Sequence, residues 1–258
     1  MAFYENQKAM KIVLYSFLIL VAFSCKESDE DPVQQQDTVL NEYPDWYTLK
    51  APVDRQIQGV WGNYDKTVLI STMFKLFRTT DQGKQWEQVL DQSVGIMGIV
   101  QYQDTLFTMT GLSYQTRNKV DQQVLTLANN FSVDDGKTWH QYKVGNAVLS
   151  GLPDFDSPNK FLINPVIAQN KESYRINKIF RDGPNVTTGA FETPGAIKSN
   201  GKRIDLPQLH QIQSLYLDDQ LRLYIVGSDA VCGSEVSFKF CNSQAGRGVV
   251  YVSKNSNP

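Results

Sequence analysis

The sequence predicts an all-β protein, and three observations carry that expectation. From about residue 42 the chain is nearly free of helical periodicity, with short β-branched and aromatic runs separated by turn residues. A strand, a polar turn with Asp and a second apolar strand recur at Val60–Ile70, Ile99–Met109 and Leu215–Ile225, with a weaker copy at Asp154–Ile163. Finally, the pattern Ser/Thr-x-Asp-x-Gly-x-x-Trp occurs twice, at Thr79–Trp86 and Ser132–Trp139. With 258 residues, 41% hydrophobic and 11% aromatic, the chain can build a sizeable core.

The repeated pattern has a physical logic. Asp81 and Asp134 can accept hydrogen bonds from N–H groups inside a tight turn, and the hydroxyls of Thr79 and Ser132 can close a local bond beside them. Gly83 and Gly136 supply the positive φ that a side chain resists. Trp86 and Trp139 open the returning strand, with the indole N–H near polar backbone. The pattern resembles the Asp-box of the sialidase-type (BNR) repeat. That resemblance implies a β-propeller whose Asp-boxes join strands 3 and 4 of each blade.

Taken in order, residues 1–24 read as a lipoprotein signal peptide. Lys8 and Lys11 precede an apolar run from Ile12 to Phe23, too short for a comfortable membrane span. Ala22-Phe23-Ser24-Cys25 resembles a bacterial lipobox, with Cys25 lipidated, although Ala22 stands where Leu is usual and Phe23 is bulky. The start is Met1 or Met10, and the alternative reading of the segment is an uncleaved anchor. Residues 25–41 form an acidic, Gln-rich tether, with net charge −4 over residues 26–37. The domain proper spans 42–258 and is close to neutral.

The aligned hairpins read as strands 1 and 2 of four blades, or five if Ser150–Leu206 holds another. Strand 3 runs into the Asp-box in the first two repeats, and into a degenerate Arg181-Asp182-Gly183-Pro184 in the third. In the last, Gly248–Val252 leads to a decayed box with Ser253 in the hydroxyl place and Asn255 in the Asp place. The chain then ends without a fourth strand. Trp46-Tyr47-Thr48-Leu49 looks like the strand openings at Trp86 and Trp139, so the N-terminal strand is expected to complete the last blade and close the ring.

On this layout the Asp-boxes lie on a structural face, and connections between strands 2 and 3 ring the opposite face. The longest are Gly111–Gln122 and Ser228–Gly246; Val186–Arg203 is a further candidate rim. Tyr114 and Arg117, with Tyr174 and Arg175, are the candidate ligand-face residues, offering stacking faces and charged donors. Cys232 and Cys241 read as a loop-stapling disulfide.

Catalysis finds little support. Sialidases, by the family resemblance, need three arginines, a Tyr–Glu pair and an Asp. Neither Arg55-Gln56-Ile57 nor Arg203-Ile204-Asp205-Leu206-Pro207 fits the family's first-arginine motif. Two histidines, His140 and His210, and no second cysteine pair give no metal set, and no cofactor is expected. A net charge of −2 with no basic block argues against nucleic acid. The expected function is a lipid-anchored bacterial envelope protein, on the outer membrane, binding a glycan or an envelope or host protein. A diverged glycoside hydrolase or lyase and an assembly factor for a membrane complex are the alternatives.

Overall fold

A computed structural model of the protein describes residues 37–117, 120–152, 161–183, 189–232 and 239–258. The expected signal peptide, the lipidation site Cys25 and the tether up to residue 36 lie outside the described residues. The compact unit begins at Asp37. Residues 37–41, expected as the end of the tether, are packed onto the fold: Val39 is buried, and Thr48 N–H donates to Asn41 O at 3.0 Å.

The described residues form strands and no helix, so the fold is all-β. In chain order they are β1 (Trp46–Lys50), β2 (Gly59–Gly62), β3 (Val68–Thr72), β4 (Lys75–Thr79) and β5 (Glu87–Asp91). Next come β6 (Gly98–Tyr102), β7 (Thr105–Arg117), β8 (Val120–Ser132), β9 (His140–Gln141), β10 (Leu162–Asn164) and β11 (Val166–Ile167). The last are β12 (Ser173–Phe180), β13 (Phe191–Lys198), β14 (Arg203–Leu217), β15 (Arg222–Ala230) and β16 (Val249–Ser256).

They assemble into three antiparallel sheets. The first repeat is a four-stranded meander, β2-β3-β4-β5, and the second contributes β6, β7, β8 and β9, with β10 added beside β8. The third and fourth repeats share one curled seven-stranded sheet, in the order β1-β16-β15-β14-β13-β12-β11. Four separate four-stranded units were expected. Of the weak hairpin expected at Asp154–Ile163, residues up to 160 lie outside the described residues, and Leu162 on β10 pairs with β8 of the second sheet rather than opening the third repeat. The rest of the difference comes from β14. Its 15 residues pair with β13 through Arg203–His210 and with β15 through His210–Leu217, so one strand serves two repeats. The third repeat's fourth strand, expected between Gly189 and Leu206, is β13.

The sheets have two apolar faces because each strand alternates side chains between them. Val60, Ile70 and Phe77 meet Leu49, Tyr224, Val226, Val250 and Val252 on one side of the four-stranded sheet. Leu69 and Leu76 meet Ile99 and Leu106 on the other. Val100, Phe107 and Met109 then face Phe161 and Leu162. Inside the curl of the large sheet, Trp46, Leu223, Ile225 and Tyr251 pack against Tyr174, Ile176 and Ile204. All nine residues of β15 are buried, as this two-sided packing requires.

The N-terminal strand pairs with the last: β1 runs antiparallel to β16, with Trp46 opposite Ser253 and Lys50 opposite Val249. Trp46 sets its indole edge-on against Tyr251, with ring centroids 6.1 Å apart. Ser253 does not enter a turn. Its hydroxyl donates to Asn255 O and accepts from Leu223 N–H, each at 2.8 Å, while β16 continues to Ser256 opposite Arg222. The expected decayed box is therefore a bulge within β16: Ser253, Lys254 and Asn255 stand against the single Leu223 before pairing with β15 resumes at Ser256.

A buried polar cluster ties the first sheet to the last. The Arg222 guanidinium donates to Asp218 (2.7 Å), Asp65 (2.8 Å) and Asn63 (2.8 Å). Tyr224 O–H donates to Asp218 at 3.1 Å and its oxygen accepts from Tyr64 N–H at 2.8 Å. Asp218 and Arg222 are buried, so each is stable only with the other present. Arg222→Met should destabilise the fold by about 3–5 kcal/mol, read by chemical denaturation, because it strands a buried carboxylate. Deleting residues 42–53 removes Trp46, Leu49 and Ala51 from two cores and should yield unfolded or oligomeric protein by gel filtration and circular dichroism; an unchanged monomer would contradict the role given to β1.

Candidate functional site

The two ends of the strands are built differently. At one end, the turns after β4 and β8 have the same hydrogen bonds. Thr79 Oγ1 donates to Asp81 (2.8 Å) and accepts from Gly83 N–H (3.0 Å), while Asp81 accepts from Gln85 N–H (3.0 Å). Ser132 donates to Asp134 (2.8 Å) and accepts from Gly136 N–H (3.0 Å), while Asp134 accepts from Thr138 N–H (3.0 Å) and Oγ1 (2.6 Å). Gly83 and Gly136 have φ of 78° and 75°. Both also lie close to a neighbouring sheet: an added Cβ would fall 2.8 Å from Leu49 at Gly83 and 2.5 Å from Leu69 at Gly136.

The tryptophans diverge. Trp139 Nε1 donates to Gly136 O at 3.0 Å, whereas Trp86 Nε1 is buried with no acceptor. The third repeat turns at Arg181 and Asp182, where Gly183 has φ 109° and its N–H donates to Phe180 O at 3.3 Å; Pro184 lies outside the described residues.

A cavity of about 520 Å³ lies toward the far end of β8 from its Ser132 turn, and the segment after the third repeat's turn, Gly189–Thr193, also lines it. One wall is the β7–β8 hairpin. Gly111–Gln122, expected as a loop, is mostly paired strand, with Gly111 opposite Thr126 and Arg117 opposite Val120. Leu112, Tyr114, Thr116, Val120 and Val124 suit extended backbone, so the ladder continues where turn chemistry was expected. Tyr114, 69% exposed, stands directly across the ladder from Gln123, and both line the cavity. The side chain of Arg117 lies outside the described residues.

The facing wall is made by irregularities in the large sheet. The β12–β13 register shifts between Asn177 and Ile179, and the β13–β14 register shifts between Thr193 and Gly195. Pro194 and Pro207 fall in these segments; neither can donate to the ladder, so the strands bulge there. Thr193 Oγ1 bridges the bulge, donating to His210 O (2.5 Å) and accepting from Ile212 N–H (2.9 Å). The bulges turn Lys178, Phe191, Glu192, Gln211 and Gln213 toward the cavity. Lys178 Nζ lies 5.0 Å from the Phe191 ring centre, and Glu192 lies 3.5 Å from the Arg181 guanidinium.

His210 sits in this wall, 2% exposed. Its Nδ1 lies 2.9 Å from Ser228 O, which can only accept, so Nδ1 carries the proton and Nε2 accepts from Tyr251 O–H at 2.8 Å. Burial lowers its pKa and keeps the ring neutral. With both nitrogens engaged it is a packing residue rather than a free base.

Two expected ligand-face residues are displaced from the cavity. Tyr174 is 0% exposed and packs in the core inside the curl, with Lys198 Nζ 5.4 Å from its ring centre. Arg175 is exposed but does not line the cavity; its strand neighbour Ile176 does. Strand alternation sends the two to opposite faces. Cys232 and Cys241 form the expected disulfide, with Cα atoms 5.1 Å apart, just past the cavity residue Val231.

Among the described lining residues Glu192 is the one carboxylate, whereas glycoside hydrolysis generally uses a pair. Among the described residues no cluster of His, Cys, Asp and Glu is placed to hold a metal ion. No family model matches the chain, and no curated protein matches it.

The turn carboxylates make a stability prediction. The Thr138 hydroxyl and N–H hold Asp134 far below the usual carboxylate range, and Gln85 N–H with the Thr79 hydroxyl lowers Asp81. A carboxyl more acidic folded than unfolded contributes stability that is complete above about pH 4 and lost as pH falls toward its folded pKa. Stability measured by denaturant titration should therefore drop between about pH 4 and pH 2, and Asp81→Asn/Asp134→Asn should flatten that slope.

Proposed function

We propose that this protein is a carbohydrate-binding module that holds a neutral saccharide in the cavity between the β7–β8 hairpin and the bulged strands β12, β13 and β14. The observation that carries the reading is the exposed Tyr114 ring standing beside the amide of Gln123, with Phe191 and the amides of Gln211 and Gln213 across the cavity. A sugar offers C–H-rich faces and a rim of hydroxyls. It needs flat apolar surfaces next to fixed polar groups, and this wall supplies both. The described lining has one ammonium, Lys178, and one carboxylate, Glu192, which favours a ligand without net charge.

The architecture that presents this cavity is, on the same proposal, an Asp-box propeller of about four blades. The two four-strand meanders with Asp-type turns between their third and fourth strands support it, as does the pairing of β1 with β16 as the complement of a last blade. The third and fourth blades would share β14. The N-terminal sequence supports an anchor at Cys25 that tethers the domain to a bacterial envelope. A catalytic role is the weaker reading, given one carboxylate among the described lining residues.

Binding of neutral oligosaccharides, found on a glycan array and measured by calorimetry, tests the reading. Tyr114→Ala should weaken binding at least tenfold, about 1.4 kcal/mol, with an unchanged melting temperature, because the ring is exposed and contributes little to the fold. Protein that binds no glycan at high micromolar concentration, or binds equally well without Tyr114, would refute it.

A further inference from the structure

Gln56, in the segment before β2, reaches across to two glutamines of β14. Its Nε2 donates to Gln211 Oε1 at 3.3 Å, and its Oε1 accepts from Gln213 Nε2 at 3.4 Å. One amide thus bridges two others, and it is held from behind. Gly248 N–H donates to Arg55 O at 2.8 Å and Gln58 N–H to Ser71 O at 2.7 Å, which fixes the backbone on either side of Gln56. Its Cγ lies against Gly246, where an added Cβ would come within 3.2 Å. Gln211 and Gln213 line the cavity, while Gln56 stands outside its lining. A primary amide has one accepting and one donating end. With Gln56 engaging one end of each, Gln211 Nε2 and Gln213 Oε1 have no partner among the described residues, and neither atom is buried. The wall presents one fixed donor and one fixed acceptor. Turning all three amides over together exchanges the two roles and still leaves one of each.

We propose that Gln211 and Gln213 are the specificity-determining contacts of this cavity, reading two adjacent hydroxyls of the saccharide, and that Gln56 is the positioning residue that sets their polarity. One hydroxyl accepts from Gln211 and its neighbour donates to Gln213. This rests on the carbohydrate reading above and adds which groups of the sugar are read, and in which sense. Hydroxyls on neighbouring ring carbons suit the pair, because a single amide of similar span already bonds both glutamines from the other side. Unbridged side-chain amides would have to be ordered on binding, and the Gln56 bridge removes that cost beforehand. A sugar lacking either hydroxyl leaves a fixed polar group unmade. Sites built to hydrogen-bond a hydroxyl reject such analogues far more strongly than apolar pockets reject a missing methylene.

The discriminating experiment compares wild-type protein, Gln56→Leu, Gln56→Glu and Tyr114→Ala, using the best neutral glycan from the array and its monodeoxy and deoxyfluoro derivatives. Wild type should lose about tenfold or more in affinity when either of two neighbouring hydroxyls is removed. Fluorine accepts weakly and cannot donate, so it should restore part of the binding at one of those positions and none at the other. Gln56→Leu should bind the parent glycan about tenfold more weakly and lose the difference between the two positions. Gln56→Glu is the sharper variant. A carboxylate only accepts, so both glutamines turn Nε2 toward it and both offer Oε1 to the cavity. Fluorine should then be rejected at both positions. Deoxy penalties at positions that are not adjacent, or a fluorine pattern in Gln56→Glu that matches wild type, would overturn the proposal whatever the melting temperatures. If Tyr114→Ala loses binding while both Gln56 variants behave as wild type, only the roles of the glutamines fail. If none of the three variants differs from wild type, the cavity itself is not the site.

Discussion

The central strands of this protein have two apolar faces, and the architecture follows from covering both. Strand β15 states the constraint most fully: Leu223 and Ile225 point into one core, Tyr224 and Val226 into another, and no residue of the strand reaches solvent. A sheet of this kind cannot end a molecule, since burying apolar area is the main favourable term in folding. The first meander lies between the large sheet and the second meander for that reason, with Ile70 facing one and Leu69 the other. Strand β1 meets the same demand at the chain's other end. It pairs with β16 and adds Trp46 to one core and Leu49 to the next.

The polar turns serve this stacking. Gly83 and Gly136 take a positive φ, but each also presses against a leucine of a neighbouring sheet, so a side chain would be excluded on two grounds. The second turn goes further. Asp135 accepts from Arg78 Nη2 at 2.9 Å and from Thr67 Oγ1 at 2.5 Å, bonding the β8–β9 turn directly to the meander before it. At the same end, Arg222 joins the β2–β3 and β14–β15 turns. These turns therefore act between sheets as well as within them.

This division explains what could be read from the chain. The hairpins at Val60–Ile70, Ile99–Met109 and Leu215–Ile225 and the two boxed turns are local, and local chemistry specifies them. The partnership of β1 with β16 was legible too, because Trp46-Tyr47 repeats the strand openings at Trp86 and Trp139. The sharing of β14 was not. It depends on bulges near Pro194 and Pro207, which in sequence look like breaks between strands and in the fold only shift the register. Phe191 and Glu192 lie within Val186–Arg203, legible as a candidate rim, and both line the cavity. That they sit on a paired strand, and that Gln213 joins them in one wall, was not legible, because the bulges and the curl set their common direction. Tyr174 was misread for a related reason. Alternation says that Tyr174 and Arg175 face opposite ways, but only the curl of the sheet decides which face is inside.

What remains is the relation between the two ends of β8. Ser132 closes that strand with a turn whose hydroxyl, carboxylate and N–H groups are mutually satisfied. Gln123, nine positions earlier and roughly 30 Å away along an extended strand, stands across the ladder from Tyr114 and lines the cavity with it. Stability and proposed recognition are thus carried by opposite ends of the same strand. The hairpin wall can change its side chains without disturbing the turns that lock sheet to sheet. A scaffold of this kind retains its fold while the chemistry at its open end is free to diverge.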